Sequence, residues 1–112
     1  MENINELMTP VFVLFNFERI EDIEYKMADA EYLKDVSNLD ERKRLYSALK
    51  WAEKNSNYDF KSIIKNAPVP GKLKFSNKEV YIFLLSFKKF MENEEYTLLT
   101  DDRPTTWPWE NN

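Results

Sequence analysis

The chain contains no cysteine and no histidine. Without Cys there is no disulfide, no thiolate metal site and no Cys nucleophile. Without His the commonest general base and the commonest transition-metal ligand are both missing. Serine-hydrolase triads, His-dependent nucleases and most zinc sites fall away together. The lack of disulfides fits a reducing compartment. The start Met1-Glu2-Asn3-Ile4-Asn5-Glu6 has no basic region of the kind that opens a signal peptide. A cytoplasmic protein is expected. The longest apolar runs, 11–15 and 80–85, are far too short to span a bilayer, so no membrane is expected either.

Glycine is almost as scarce. The single one, Gly71, sits in Pro68-Val69-Pro70-Gly71. A hairpin-rich β protein uses more glycine for its positive-φ turns, whereas helices can stop on Asn. Asn55, Asn66 and Asn93 each follow a plausible helical segment and read as stops. The expected fold is all-α, a compact single-domain bundle of about four to six helices over residues 1–100. A Pro/Trp-containing tail is expected over 101–112. The alternative is α+β with a strand near 11–17, because Val11-Phe12-Val13-Leu14-Phe15 also suits a strand.

Thr9-Pro10 resembles an N-cap followed by proline in the first turn. A helix over 10–26 would align Leu14, Phe17, Ile20, Ile23 and Met27. A short helix is expected over 29–36. Asn38 and Glu41 form a capping box for a helix over 40–54, with Leu45, Leu49 and Ala52 inward and Trp51 at the rim. Asn57 opens a shorter expected helix over 58–65, and Pro68 and Pro70 end it. Ser76 and Glu79 form a second box. The helix after it places Val80, Phe83, Leu84, Phe87 and Phe90 or Met91 on one stripe, the strongest helical pattern in the chain. Beyond Asn93 the pattern fades.

What the chain does have is charge sorted into blocks. Residues 1–41 hold eleven acids against three bases, residues 42–90 hold twelve bases against three acids, and residues 91–112 hold six acids against Arg103. The net charge of −4 conceals this layout. Separated blocks can produce surface fields that steer charged partners. On a continuous helix Glu18, Glu21 and Asp22 share a face, extended by Tyr25, although like charges so spaced repel. These four, with Asp101 and Asp102 of the tail and Trp107 and Trp109 as aromatic anchors, are the candidate partner-binding residues. The plainer alternatives are an acidic face relieved by the basic block, and a tail that docks on its own helices. Arg42-Lys43-Arg44, Lys50, Lys54, Lys72, Lys74 and Lys78 invite a nucleic-acid reading, but no helix-turn-helix turn or aromatic RNA platform accompanies them. No Gly-rich phosphate cradle or calcium-loop pattern is present, so neither an enzyme nor a cofactor is expected.

A small, acidic, helical chain without Cys, His or a catalytic motif resembles the bacterial immunity proteins. These are cytosolic antidotes to contact-dependent inhibition toxins and colicin-type nucleases. The resemblance lies in size, charge and missing chemistry, so no family residue transfers to a position here. It implies a protein-binding inhibitor whose acidic surface covers the basic cleft of a toxin, a nuclease among the possibilities. Complementary charge would speed capture, and buried aromatics would slow release. The open alternatives are a nucleic-acid-associated regulator using the 42–78 block and a non-inhibitory scaffold.

Overall fold

The computed structural model describes residues 4–14, 17–64 and 74–105, and these form an all-α bundle without strands among the described residues. A 3₁₀ turn, Ile4–Leu7, runs directly into α1, Met8–Val13. A 3₁₀ turn at Ile20–Asp22 follows, then α2, Met27–Val36, and α3, Leu39–Lys54. The 3₁₀ segment Phe60–Ile64 precedes α4, Asn77–Glu92, and Glu94–Tyr96 forms a last 3₁₀ turn.

Both capping boxes form. Asn38 Oδ1 accepts from the Glu41 N–H at 2.8 Å, and the Glu41 carboxylate accepts from the Asn38 N–H at 2.9 Å. Ser76 and Glu79 do the same for α4 at 3.1 and 2.9 Å. Each box satisfies two amides that a helix start otherwise leaves open. Asn55 and Asn93 stand at the C-caps of α3 and α4, as expected. Asn66 lies outside the described residues.

The two 16-residue helices α3 and α4 carry the core. Val80, Phe83, Leu84, Phe87, Phe90 and Met91 of α4 are all buried, against Leu45, Ala48, Leu49 and Ala52 of α3. Leu7, Val11 and Leu14 close one side and Phe60 another. Full burial of a side chain of this kind contributes about 1.5–3 kcal/mol. Trp51 is half-buried at the rim, edge-on to Tyr58 with ring centroids 5.1 Å apart.

The expected helix over 10–26 does not form. α1 starts before Thr9, as a continuation of the Ile4–Leu7 turn, and ends at Val13. Arg19 and Ile23 are extended, with φ/ψ of −139°/146° and −80°/121°. One cause lies in the sequence. A helix through this segment would stack Glu18, Glu21 and Asp22 as like charges. In the observed turn Arg19 reaches both Asp22 at 3.1 Å and Glu21 at 3.9 Å, which a carboxylate-only face could not offer. The strand alternative for 11–17 is not what replaces it, since Val11–Val13 is helical.

The expected helix over 58–65 is a 3₁₀ segment, pinned by Asn77: its Oδ1 accepts from the Phe60 N–H at 2.7 Å, and its Nδ2 donates to the Tyr58 carbonyl at 2.8 Å. Order also persists beyond Asn93. Leu98 is fully buried, and Thr97 takes the left-handed conformation (φ 49°, ψ 32°). A β-branched residue is rarely found there. Its neighbours hold it: the Asp101 N–H donates to the Thr97 carbonyl at 2.9 Å, and Lys34 Nζ donates to Thr97 Oγ1 at 2.9 Å. No helix of the described residues is long and apolar enough to cross a membrane.

Candidate functional site

Of the eight residues singled out from sequence, the six that the structure describes do not share one face. Glu18 is 91% exposed and bridges to Lys74 at 2.9 Å. Glu21 and Asp22 sit on the exposed 3₁₀ turn around Arg19. Tyr25 turns inward. Its ring stacks on Phe90 at 4.8 Å and meets Phe87 edge-on at 6.1 Å. Its hydroxyl lies 2.7 Å from Ser86 Oγ, which itself donates to the Phe83 carbonyl, so Tyr25 is the donor of the pair. Burial raises the Tyr25 pKa. Asp101 is engaged internally, while Asp102 is exposed and unpaired among the described residues. Trp107 and Trp109 lie outside the described residues.

Beside the 20–22 turn the backbone opens an apolar groove of about 390 Å³. α1 supplies Thr9 and Val13 to its wall, and α2 supplies Asp29, Tyr32, Leu33 and Val36. Tyr25, Phe87 and Phe90 lie beneath, and Phe17 and Ile23 close it from the connecting segment. Glu24 and Asp29 are the charged residues of its described lining, with no base among them. Tyr32 stands 68% exposed on the edge and Met27 47% exposed nearby. A concave apolar surface with a few polar groups of one sign is a binding geometry.

Glu24, Asp29 and Tyr32 were not picked from the sequence. One signal was available: Asp29, Tyr32 and Val36 follow at spacings of three and four on a helix, with Leu33 beside them. The groove itself depends on α1 being short, which was not legible.

The tail's first residues belong to a second feature, an ion network that fastens 97–103 to α2 and α3. Arg42 is fully buried and donates from Nη1 to the Leu98 carbonyl at 2.6 Å, from Nη2 to the Asp101 carbonyl at 2.7 Å and from Nε to the Ser37 carbonyl at 3.2 Å. Lys34, only 3% exposed, meets Glu31 at 2.8 Å and Asp101 at 3.6 Å. Arg103 chelates Asp101 at 2.7 Å and reaches Glu31 at 3.0 Å and Asp35 at 3.5 Å. Lys34 and Arg103 thus face three carboxylates, while the buried Arg42 charge is met by three backbone carbonyls. Burial lowers the Arg42 pKa, though a guanidinium stays protonated.

The Arg103 hydrogen bonds hold the Asp101 carboxyl well below the usual carboxylate range, and those from Lys34 and then Arg103 lower that of Glu31. Their folded pKa values lie below the unfolded ones. The stabilisation is therefore complete above the unfolded values, about pH 4, and is lost as pH falls towards the folded values. Melting temperature is expected to fall steeply below about pH 4. Asp101→Asn should lower it at neutral pH and make that acid slope shallower. An unchanged slope in thermal scans would remove Asp101 from this account.

The basic block is partly absorbed by the fold. Arg42 is internal, Arg44 pairs with Glu6 at 3.4 Å, and Lys88 pairs with Glu92 at 2.7 Å and Glu53 at 3.5 Å. Lys43, Lys50 and Lys54 remain on the exposed ridge of α3 without a carboxylate partner among the described residues; Lys50 lies over the Tyr46 ring at 5.5 Å. No group of three or more acids that could hold a metal ion occurs among the described residues.

The chain matches no protein-family model, no curated protein and no solved structure.

Proposed function

We propose that this chain is a protein-binding inhibitor of the immunity type, which neutralises a bacterial toxin by seating its acidic, groove-bearing face on the toxin's basic active-site surface. The observation that carries the reading is the apolar groove whose only charged described lining is Glu24 and Asp29. Around it, the segment 18–29 holds five acids against Arg19 and Lys26. Apolar contact in the groove supplies slow release, and the surrounding negative field supplies fast capture of a basic partner. Glu21 and Asp22, exposed on the turn that leads into the groove, are the steering residues. Asp102 contributes charge from the other acidic block. Asp101 does not act directly, because its carboxylate is engaged by Arg103 and Lys34.

The test is rescue. An antidote gene commonly lies beside its toxin gene, so the neighbouring product is expressed alone and together with this chain. Co-expression is expected to restore growth and, for a nuclease, to abolish cleavage at a one-to-one ratio. The double reversal Glu21→Lys with Asp22→Lys should weaken the complex by about 100-fold with little change in melting temperature. Undiminished toxicity in the presence of the folded chain would contradict the proposal.

The exposed Lys43, Lys50 and Lys54 ridge favours a rival, nucleic acid bound along α3. That reading requires retention on a phosphate-rich resin with a steep salt dependence.

A further inference from the structure

Residues 97–103 lie against α2 and α3, and Leu98 is the one residue among them that is buried. The rest of the attachment is polar. The Thr100 and Asp101 N–H groups both donate to the Thr97 carbonyl, at 3.3 and 2.9 Å, and fold the segment on itself. Arg42 of α3 holds the Leu98 and Asp101 carbonyls, and Lys34 of α2 donates to Thr97 Oγ1. Arg103 clamps Asp101, within the segment, to Glu31 and Asp35 of α2. Two features oppose this closed arrangement. Thr97 takes a left-handed conformation (φ 49°) that β-branched residues avoid. The segment also covers two cations, Arg42 and Lys34, which give up their water when it closes. Neither is stranded when it lifts. Lys34 keeps Glu31 of its own helix at 2.8 Å, and Arg42 keeps the Ser37 carbonyl at 3.2 Å. The capping boxes and buried stripes of α3 and α4 all lie earlier in the chain and need not part.

We propose that 97–103 is a strap that opens as a unit from a bundle that stays folded, with Arg103 as its latch. Segments that open below the cost of global unfolding have few buried apolar residues and are held by polar bonds near the surface. The strap has a single buried leucine, a strained residue at its start and a clamp of partly exposed ion pairs. Opening gives water back to Lys34 and Arg42, which offsets part of the bonds lost. It uncovers a pair of cations on α2 and α3 that the closed surface hides. Strap opening does not depend on what the apolar groove binds.

The test is amide hydrogen exchange of the full chain, followed by NMR at neutral pH and at urea concentrations below the unfolding transition. The Thr100 and Asp101 amides are expected to exchange with little dependence on urea, because lifting the strap exposes little surface. The Leu84 and Phe87 amides of α4 are expected to follow the steep dependence of global unfolding. Val80→Ala removes buried methyl groups from α4. It should speed exchange at Leu84 and Phe87 by at least about 10-fold. Thr100 and Asp101 should stay within about 2-fold, since Val80 remains packed when only the strap is open. Arg103→Gln should speed Thr100 and Asp101 by at least about 5-fold. One shared urea dependence for all four amides, or one shared response to Val80→Ala, would overturn the proposal. Exchange of the strap amides at the rate of an unfolded chain would overturn it too. An Arg103→Gln variant that leaves those amides unchanged would overturn the assignment of the latch. Should Val80→Ala fail to fold, the urea dependence of the unaltered chain decides alone.

Discussion

Arg42→Met is expected to destabilise the chain by about 3–5 kcal/mol, read as a drop in the urea midpoint at unchanged slope. Methionine fills similar volume, so the loss is not mainly a cavity. What disappears is the donor set for the carbonyls of Leu98, Asp101 and Ser37. A buried carbonyl left without a donor costs about 1–3 kcal/mol. The substitution also leaves Lys34, Arg103, Glu31, Asp35 and Asp101 as a smaller network with the 97–103 segment held by fewer bonds. Arg42→Lys should recover only a small part, because one ammonium cannot reproduce three donors diverging from a planar fork. A loss below about 1 kcal/mol would mean that water satisfies those carbonyls and that Arg42 is not the anchor.

Phe83→Ala is expected to cost about 3–5 kcal/mol, a large share of the 5–15 kcal/mol typical of a domain. Phe83 is fully buried on α4 and lies edge-on to Phe87 at 6.1 Å. Removing the ring leaves a void beside Phe87 in the core that surrounding residues cannot fill without leaving their rotamers. Tyr32→Ala should instead change stability by no more than about 0.5 kcal/mol, since exposed positions away from caps and networks generally do. The contrast separates the two aromatic populations: one builds the bundle, and the other is an exposed ring beside an apolar groove. Comparable losses for both substitutions in parallel denaturant titrations would show that α2's outer face belongs to the core.

The elements that were legible in the sequence are those whose determinants are local. Asn38 with Glu41, and Ser76 with Glu79, mark their helix starts within four residues. The α4 stripe repeats at three and four, and all of its expected members are buried. Apolar spacing runs on through 18–22 and predicts a helix there, but the repulsion of three carboxylates and the reach of Arg19 decide the conformation. Beside Lys43 and Arg44, Arg42 reads in the sequence as surface charge. Its phase, three residues before Leu45 and seven before Leu49, places it on the buried side of α3. Its partners are 56 and 59 residues away, and no window on the sequence joins them. The same holds for Asp101, whose charge Arg103 and Lys34 take up, the latter from 67 residues away. Tyr25 reads from the sequence as an exposed residue beside the acids, whereas it lies at the base of the groove. The groove needs α1 to stop early and α2 to stand apart from it, which is a property of the assembled bundle.

The most direct test of the proposed function is an NMR footprint of this chain titrated with the product of the neighbouring gene. The account predicts perturbation centred on Ile23, Glu24, Tyr25, Asp29, Tyr32 and Val36, with Glu21 and Asp22 at its margin. A footprint on Lys43, Lys50 and Lys54 that leaves the groove untouched would contradict it.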